Sequence, residues 1–434
     1  MFCFPSKHRD KAIARTKGLR RRRFIARLLI FLFLLFGLGA TSTPPKHALL
    51  VELNRLTARD QFDFVDWEIQ AIAGEIKRRW SPPLLPDNEL EQHLLVQTFL
   101  NQEQYLAELE DELNKLYVTS AAPIEDVTTL SQALAINKAS QDAMLPQVET
   151  ILAQQVEAIL KEEGFTKTGP VFPPVAFRLI EPPTALILSP RRHIEKQQFL
   201  ALKPGLDHNR RAEIERTLDQ RGDISSYITD IGGLGSYPTM VITHAFLPYL
   251  IDVIAHEWTH NYLFTFPTNI AWGYQTYPRL ATINETTASL VGGEISRKVI
   301  LRFYPDWVDQ LPPVDGAGQL IPQKPSEFHS TMRHTRQQVD RLLAEGRIEE
   351  AEEFMETERL KLVAKGYNLR KLNQAYFAFH GAYTLSPGSI DPTGPQIRQL
   401  RASSPSLKAF LDRVGWLNSY EDYLAWLTEA GIGL

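Results

Sequence analysis

His256-Glu257-Trp258-Thr259-His260 sets two imidazoles four residues apart, with a carboxylate directly after the first. On a helix, residues four apart sit one turn apart and are offset by about 40°, so both rings can reach one cation. Glu257 points about 100° round from His256. It therefore stands beside such a cation, where a base can take a proton from a water that the cation polarises. Leu250, Ile251, Ile254 and Ala255 in the preceding turns predict a helix from about Phe246 to Phe264, buried on at least one face. Two histidines and a glutamate in that setting need partners. Cys3 is the only cysteine in the chain, so no thiolate cluster can form and any metal falls to histidine and carboxylate. The blander alternative is a helix carrying two surface histidines and a charge.

A catalytic metal takes a third protein ligand and keeps one position open. Glu285, in Ile283-Asn284-Glu285-Thr286, lies 25 residues beyond His260, near the start of another apolar helix. Glu294, His244 and Asp306 compete for the role. Glu294 reads more simply as a helix charge and His244 as a strand-end or capping residue. No His-x-x-Gly-x-x-His continuation follows His260.

With these residues in place, the stretch 237–295 resembles the gluzincin metallopeptidases, the group that includes thermolysin and the zinc aminopeptidases. The resemblance implies Zn2+ held by His256, His260 and Glu285, with Glu257 as the general base of peptide-bond hydrolysis. It departs at Ser289, where thermolysin-like members carry an aspartate bonded to the first histidine. Asp252, one turn before His256, is an alternative acceptor, and equally a surface carboxylate. Gluzincins also draw an oxyanion-stabilising Tyr or His from their C-terminal helices. Leu369–Tyr383, read as one helix, puts Asn373, Tyr376, His380 and Tyr383 on one face, making Tyr376, His380 and Tyr383 the candidates, unless they are core aromatics. The strand before the metal helix pairs with extended substrate in that group, and Ser236–Thr243 takes its place here, with Pro238 suited to an edge. More loosely, the order of motifs is similar to predicted bacterial membrane-associated aminopeptidases, which leaves open which peptide bond is cut.

The elements needed to position these groups follow from periodicity. Residues 47–167 carry apolar residues at helical spacing: Leu49, Leu53 and Leu56, then Phe62, Trp67, Ile69, Ile72 and Ile76. Further helices are predicted at about Asn88–Tyr117 and Pro146–Glu163. From Thr168 the runs shorten and become β-branched: 175–180 and 184–189 read as a strand pair around Glu181-Pro182-Pro183. Ser225–Ile231 and Tyr237–Thr243 read as two more strands, with Gly232-Gly233-Leu234-Gly235 as a turn or bulge between them. Helices then return, interrupted by a loop at Asp306–Lys324. The predicted fold is α+β, mostly α, with a small antiparallel or mixed sheet. It divides into a helical region at 47–167, a core at 168–300 and a C-terminal helical part at 301–434.

Charge is unevenly placed. The first 27 residues carry ten Lys/Arg and one Asp, a net of +9, against −4 for the whole 434-residue chain, so the remainder is acidic. An acidic body argues against nucleic acid as a partner. Arg20–Arg23 lead into the apolar segment 24–40, and a linker at 41–46 follows. This pattern predicts a single membrane segment with a cytoplasmic head (1–23) and an extracytoplasmic body, or else a signal cleaved on export. The expected partners are thus a peptide or protein substrate and the membrane, with oligomeric state open. The alternative function is an inactive, zinc-stabilised scaffold or peptide-binding protein on the same tether.

Overall fold

The computed structural model describes residues 48–118, 124–273, 277–313, 326–381 and 391–433. The membrane or signal segment at 24–40 lies outside them, and no described helix is long and apolar enough to cross a membrane. The chain divides into two compact units, Met1–Ala58 and Arg59–Leu434. The first contributes one described helix, α1 (Ala48–Thr57).

The second unit is mostly helical, with six short strands in two sheets among the described residues. It opens with α2 (Phe64–Trp80), α3 (Glu89–Val118) and α4 (Ile124–Glu162). Pro146 lies inside α4 rather than opening a helix there. Its carbonyl accepts from the Thr150 hydroxyl at 2.7 Å, giving a local bond beside the amide hydrogen that proline lacks.

The strands correct three expectations. β1 (Phe177–Leu179) and β2 (Thr184–Pro190) are both present but do not pair. β2 is the centre of one antiparallel sheet, between β3 (Gln198–Leu202) and β4 (Ile224–Thr229). β1 instead runs parallel to β6 (Thr239–Val241) in the other sheet. Glu181-Pro182-Pro183 therefore separates two sheets. Nor is β6 an edge: it lies between β1 and β5 (Gly233–Leu234), which is antiparallel to it. Pro238 stands just before β6, where its missing donor removes no ladder bond. The glycine cluster is not only a turn, since it supplies β5, one of the two edge strands beside β6.

Two long helices carry the apolar core across this sheet. α6 (Leu247–Leu263) follows α5 (His208–Asp219) and β4–β6, and begins with Pro248 in its first turn. After the four-residue α7 (Asn269–Trp272) comes α8 (Pro278–Phe303), again with proline at its start, where the absent amide is no loss. Gly292 lets α8 lie close against α6: a Cβ there would stand 2.2 Å from Asp252 Oδ1 and 2.7 Å from the Asp252 carbonyl. Ser296 donates to the Pro248 carbonyl at 2.7 Å across the same seam. Ile251, Ile254 and Trp258 of α6 join Ile283, Val291 and Ile295 of α8, with Val148, Ile151 and Leu152 of α4, in one buried cluster.

Pro305–Gln310, expected as loop, is a 3-10 helix. The helices α9 (Glu327–Ala344) and α10 (Ile348–Ala364) build a second cluster with the segment before α11 (Gln374–His380). Helices α12 (Thr393–Ser403), α13 (Leu407–Gly415) and α14 (Tyr420–Glu429) close onto the main core.

Candidate metal centre

The two histidines come from one turn of α6, and Glu285 reaches them from the second turn of α8. His256 Nε2 and His260 Nε2 lie 3.0 Å apart, and Glu285 Oε2 stands 3.3 Å from the first and 3.5 Å from the second. That oxygen is buried and receives no hydrogen bond. Three electron-pair donors thus converge on one point in a water-poor seam, an arrangement that can hold a metal ion.

Neighbouring groups orient these three side chains. Asn284 donates from Nδ2 to the Ile270 carbonyl at 2.7 Å, which fixes its amide with Oδ1 toward His260. His260 therefore donates from Nδ1 at 2.8 Å, and its Nε2 is left for the cluster. Ser289 Oγ lies 3.4 Å from His256 Nδ1, so the serine occupies the aspartate's place at long range. Asp252 makes no hydrogen bond to His256. Its Oδ1 is buried without a partner beneath Gly292, and burial raises its pKa to about 6, opposed by the charge of His256.

Electrostatics couple the ligands. Burial lowers the basicity of His260, but the Glu285 carboxylate overrides it and raises the pKa to about 9. Burial pushes the Glu285 carboxyl up, and His260 and His256 more than reverse this, holding it well below the usual carboxylate range. Glu257 is only 6% exposed, and burial raises its pKa against the pull of the two histidines.

Glu257 owes its surroundings to the glycine cluster. A Cβ at Gly233 would stand 2.5 Å from Glu257 Oε1, and one at Gly232 would stand 2.4 Å from the Tyr249 hydroxyl oxygen. Glycine is what lets the β5 backbone lie directly on α6. Sequence reasoning missed this, although three glycines in four residues before a His-Glu-x-x-His helix were a usable signal. It also missed Lys196 on the β2–β3 connection, a half-buried ammonium lowered in pKa by burial and supported by the charge of Glu285.

The competing ligands are occupied elsewhere. Glu294 pairs with Lys298 and Arg401 at 2.8 Å each. His244 accepts from the Phe246 amide just before α6, and Asp306 pairs with His93.

The C-terminal aromatics are arranged differently from expectation. The helix begins at Gln374, not Leu369, because Asn373 is its N-cap: Asn373 Oδ1 accepts from the Tyr376 amide while Nδ2 donates to the Ser226 carbonyl. Asn373 is thus not part of a functional face. The rings of Tyr376 and His380 lie 4.2 Å apart at a tilt, and both contact Tyr227 of β4. Their ring contacts are with Tyr227, Phe377 and Phe379 rather than with His256 or His260. Burial lowers the His380 pKa to about 4, so it is neutral near pH 7. Tyr383 lies outside the described residues.

No protein-family model matches the chain, and neither a curated protein nor a solved structure matches it.

Proposed function

We propose that the chain is a zinc-dependent peptidase of gluzincin type, acting on peptide or protein substrates outside the cytoplasm from an N-terminal tether. The observation that carries this reading is the convergence of His256 Nε2, His260 Nε2 and Glu285 Oε2, with no hydrogen bond made to the buried glutamate oxygen. The circle through three atoms so spaced has a radius of about 1.9 Å, close to the ~2.0–2.2 Å of zinc bonds to imidazole and carboxylate. Two imidazoles, one carboxylate and no sulfur suit zinc better than calcium or magnesium, which prefer all-oxygen sites. Zinc bound there would supply Lewis acidity, polarising a peptide carbonyl and easing the ionisation of water.

The protein's own groups divide the remaining work. Glu257 takes the proton of the attacking water and delivers it to the leaving amine; its raised pKa suits it to both halves of that exchange. Asn284 holds His260 in the metal-binding tautomer. β5, the edge of its sheet beside Glu257, is the strand to which an extended substrate would add. Tyr376, His380 and Tyr383 are the candidates for stabilising the oxyanion, with Lys196 added to them by its place near Glu285.

Glu257→Gln tests the reading. Zinc content should be unchanged by elemental analysis while peptide hydrolysis falls by about 10²–10⁴. Full activity in that variant would refute the role of Glu257. The second reading, a zinc-stabilised scaffold without catalysis, is favoured by the long Ser289 contact to His256; it expects zinc but no hydrolysis of any member of a peptide library by the unaltered chain.

A further inference from the structure

Helix α2 is mounted with its charged side on the protein. Glu68 accepts from the Tyr237 amide at 3.3 Å, Glu75 pairs with Arg178 at 2.9 Å, and Arg78 pairs with the buried Glu149 at 2.5 Å. The opposite side carries Val65, Ile69, Ile72, Ile76 and Trp80, which are 45%, 55%, 36%, 51% and 87% exposed. At 100° per residue these five fall within about 80° of arc, a continuous apolar stripe along the helix. No residue of α2 is fully buried. A stripe of three isoleucines, a valine and a tryptophan left in water is an interaction surface rather than scattered surface apolarity.

We propose that the stripe is covered by the same stripe of a second copy of the chain, the two helices antiparallel about a two-fold axis near Ile72 and Ala73. Four of the five stripe residues are symmetric about that midpoint, and Ile72 falls opposite Ala73. Reversing the helix puts Val65 opposite Trp80 and Ile69 opposite Ile76, so the surface is complementary to itself, as a two-fold interface requires.

The flanking charges select the same register. Asp66 and Lys77 lie on one side of the stripe, near its two ends. The Asp66 carboxylate accepts from the Gln70 amide, and neither Asp66 nor Lys77 has an ion partner among the described residues. The two-fold keeps that side and brings Asp66 of each copy against Lys77 of the other, at both ends. Parallel pairing would put Asp66 and Lys77 of the two copies on opposite sides of the seam, so that neither Asp66 met a Lys77. A lipid surface would gain from cations along both flanks of an apolar stripe and would meet Asp66 on one of them.

The test uses the full chain in detergent with Cys3→Ser, which removes the only native cysteine. Val65→Cys and Trp80→Cys chains, tagged differently, are mixed and oxidised, and each is also oxidised alone. Cross-linked dimer should form between the two kinds of chain and fall to background when either is alone, whereas Ala73→Cys, near the axis, should link to itself. Equal linking by Val65→Cys alone would overturn the antiparallel register. Since all these positions are exposed, folding is checked by the thermal midpoint. In sedimentation, Asp66→Lys should weaken the dimer about tenfold and Asp66→Lys with Lys77→Asp should restore it; failure to restore would overturn the charge pairing. A chain that sediments as a monomer would overturn the proposal. A dye on Ala73→Cys that responds to phosphatidylglycerol vesicles would then assign the stripe to lipid.

Discussion

Helices α2 and α6 are each 17 residues long and meet the protein in opposite ways. α6 buries twelve residues and keeps His256, His260 and Asp252 where α8 approaches, so that they share one seam. α2 buries none, and turns Glu68, Glu75 and Arg78 inward to partners on other elements. Amphipathic spacing groups residues on a face, but which face looks inward depends on what waits there. In α6 the inward polar groups converge on one another; in α2 they meet arginine, carboxylate or backbone partners from elsewhere in the chain.

The contrast can be broken at several points. The largest effect is expected from Glu285→Ala, which removes the carboxylate of the proposed zinc site and leaves two imidazoles. Bound zinc should drop from one per chain to near none by elemental analysis, and stoichiometric zinc in that variant would place the third ligand elsewhere. Next comes a matched pair on the two helices. Ile254→Ala empties a site in the core, 1% exposed, and should cost about 2–5 kcal/mol in denaturant unfolding. Ile69→Ala, measured at a dilution where chains are single, should stay within about 0.5 kcal/mol. Similar losses at both positions would mean that α2 is covered within its own chain.

Asn284→Ala should weaken zinc binding by about 10–100-fold, because His260 would lose the partner that orients its ring. An unchanged dissociation constant would show the asparagine to be packing alone. The smallest step is acid-driven. With the metal absent, His260 carries its second proton up to about pH 9, whereas Glu285 is ionised throughout the neutral range. Zinc must displace that proton, so its affinity should fall about tenfold for each pH unit below about 9. A competition titration with a chromophoric chelator that gives a flat profile from pH 7 to pH 8.5 would contradict the His260–Glu285 pairing.

The site was legible where spacing along one helix carries three-dimensional meaning. His256 and His260 share a turn by virtue of the four-residue interval, whereas Glu285 was expected from its place near the start of another apolar helix and from the Asn-Glu pair that the resemblance to gluzincins implies. The fold class, mostly helix with small sheets, was legible from the change of periodicity near Thr168. The strand order was not. The run 175–180 pairs with a segment sixty residues on, and the hydrophobicity of a short strand says nothing about its partner. The short α11 escaped for a related reason: Asn373 fits helical spacing as well as it fits the N-cap, and only the Ser226 carbonyl on β4 decides between them.

Local spacing alone determined that two imidazoles and the Glu257 carboxylate would stand along one helix, since covalent geometry and the helical repeat leave no other arrangement. Tertiary packing decided the rest. It brought Glu285 within 3.5 Å of both histidines, laid a glycine strand against Glu257, and set Tyr376 and His380 against Tyr227. These depend on close approach between segments distant in the chain, where the space left by a missing Cβ or the direction of one amide outweighs any periodic pattern.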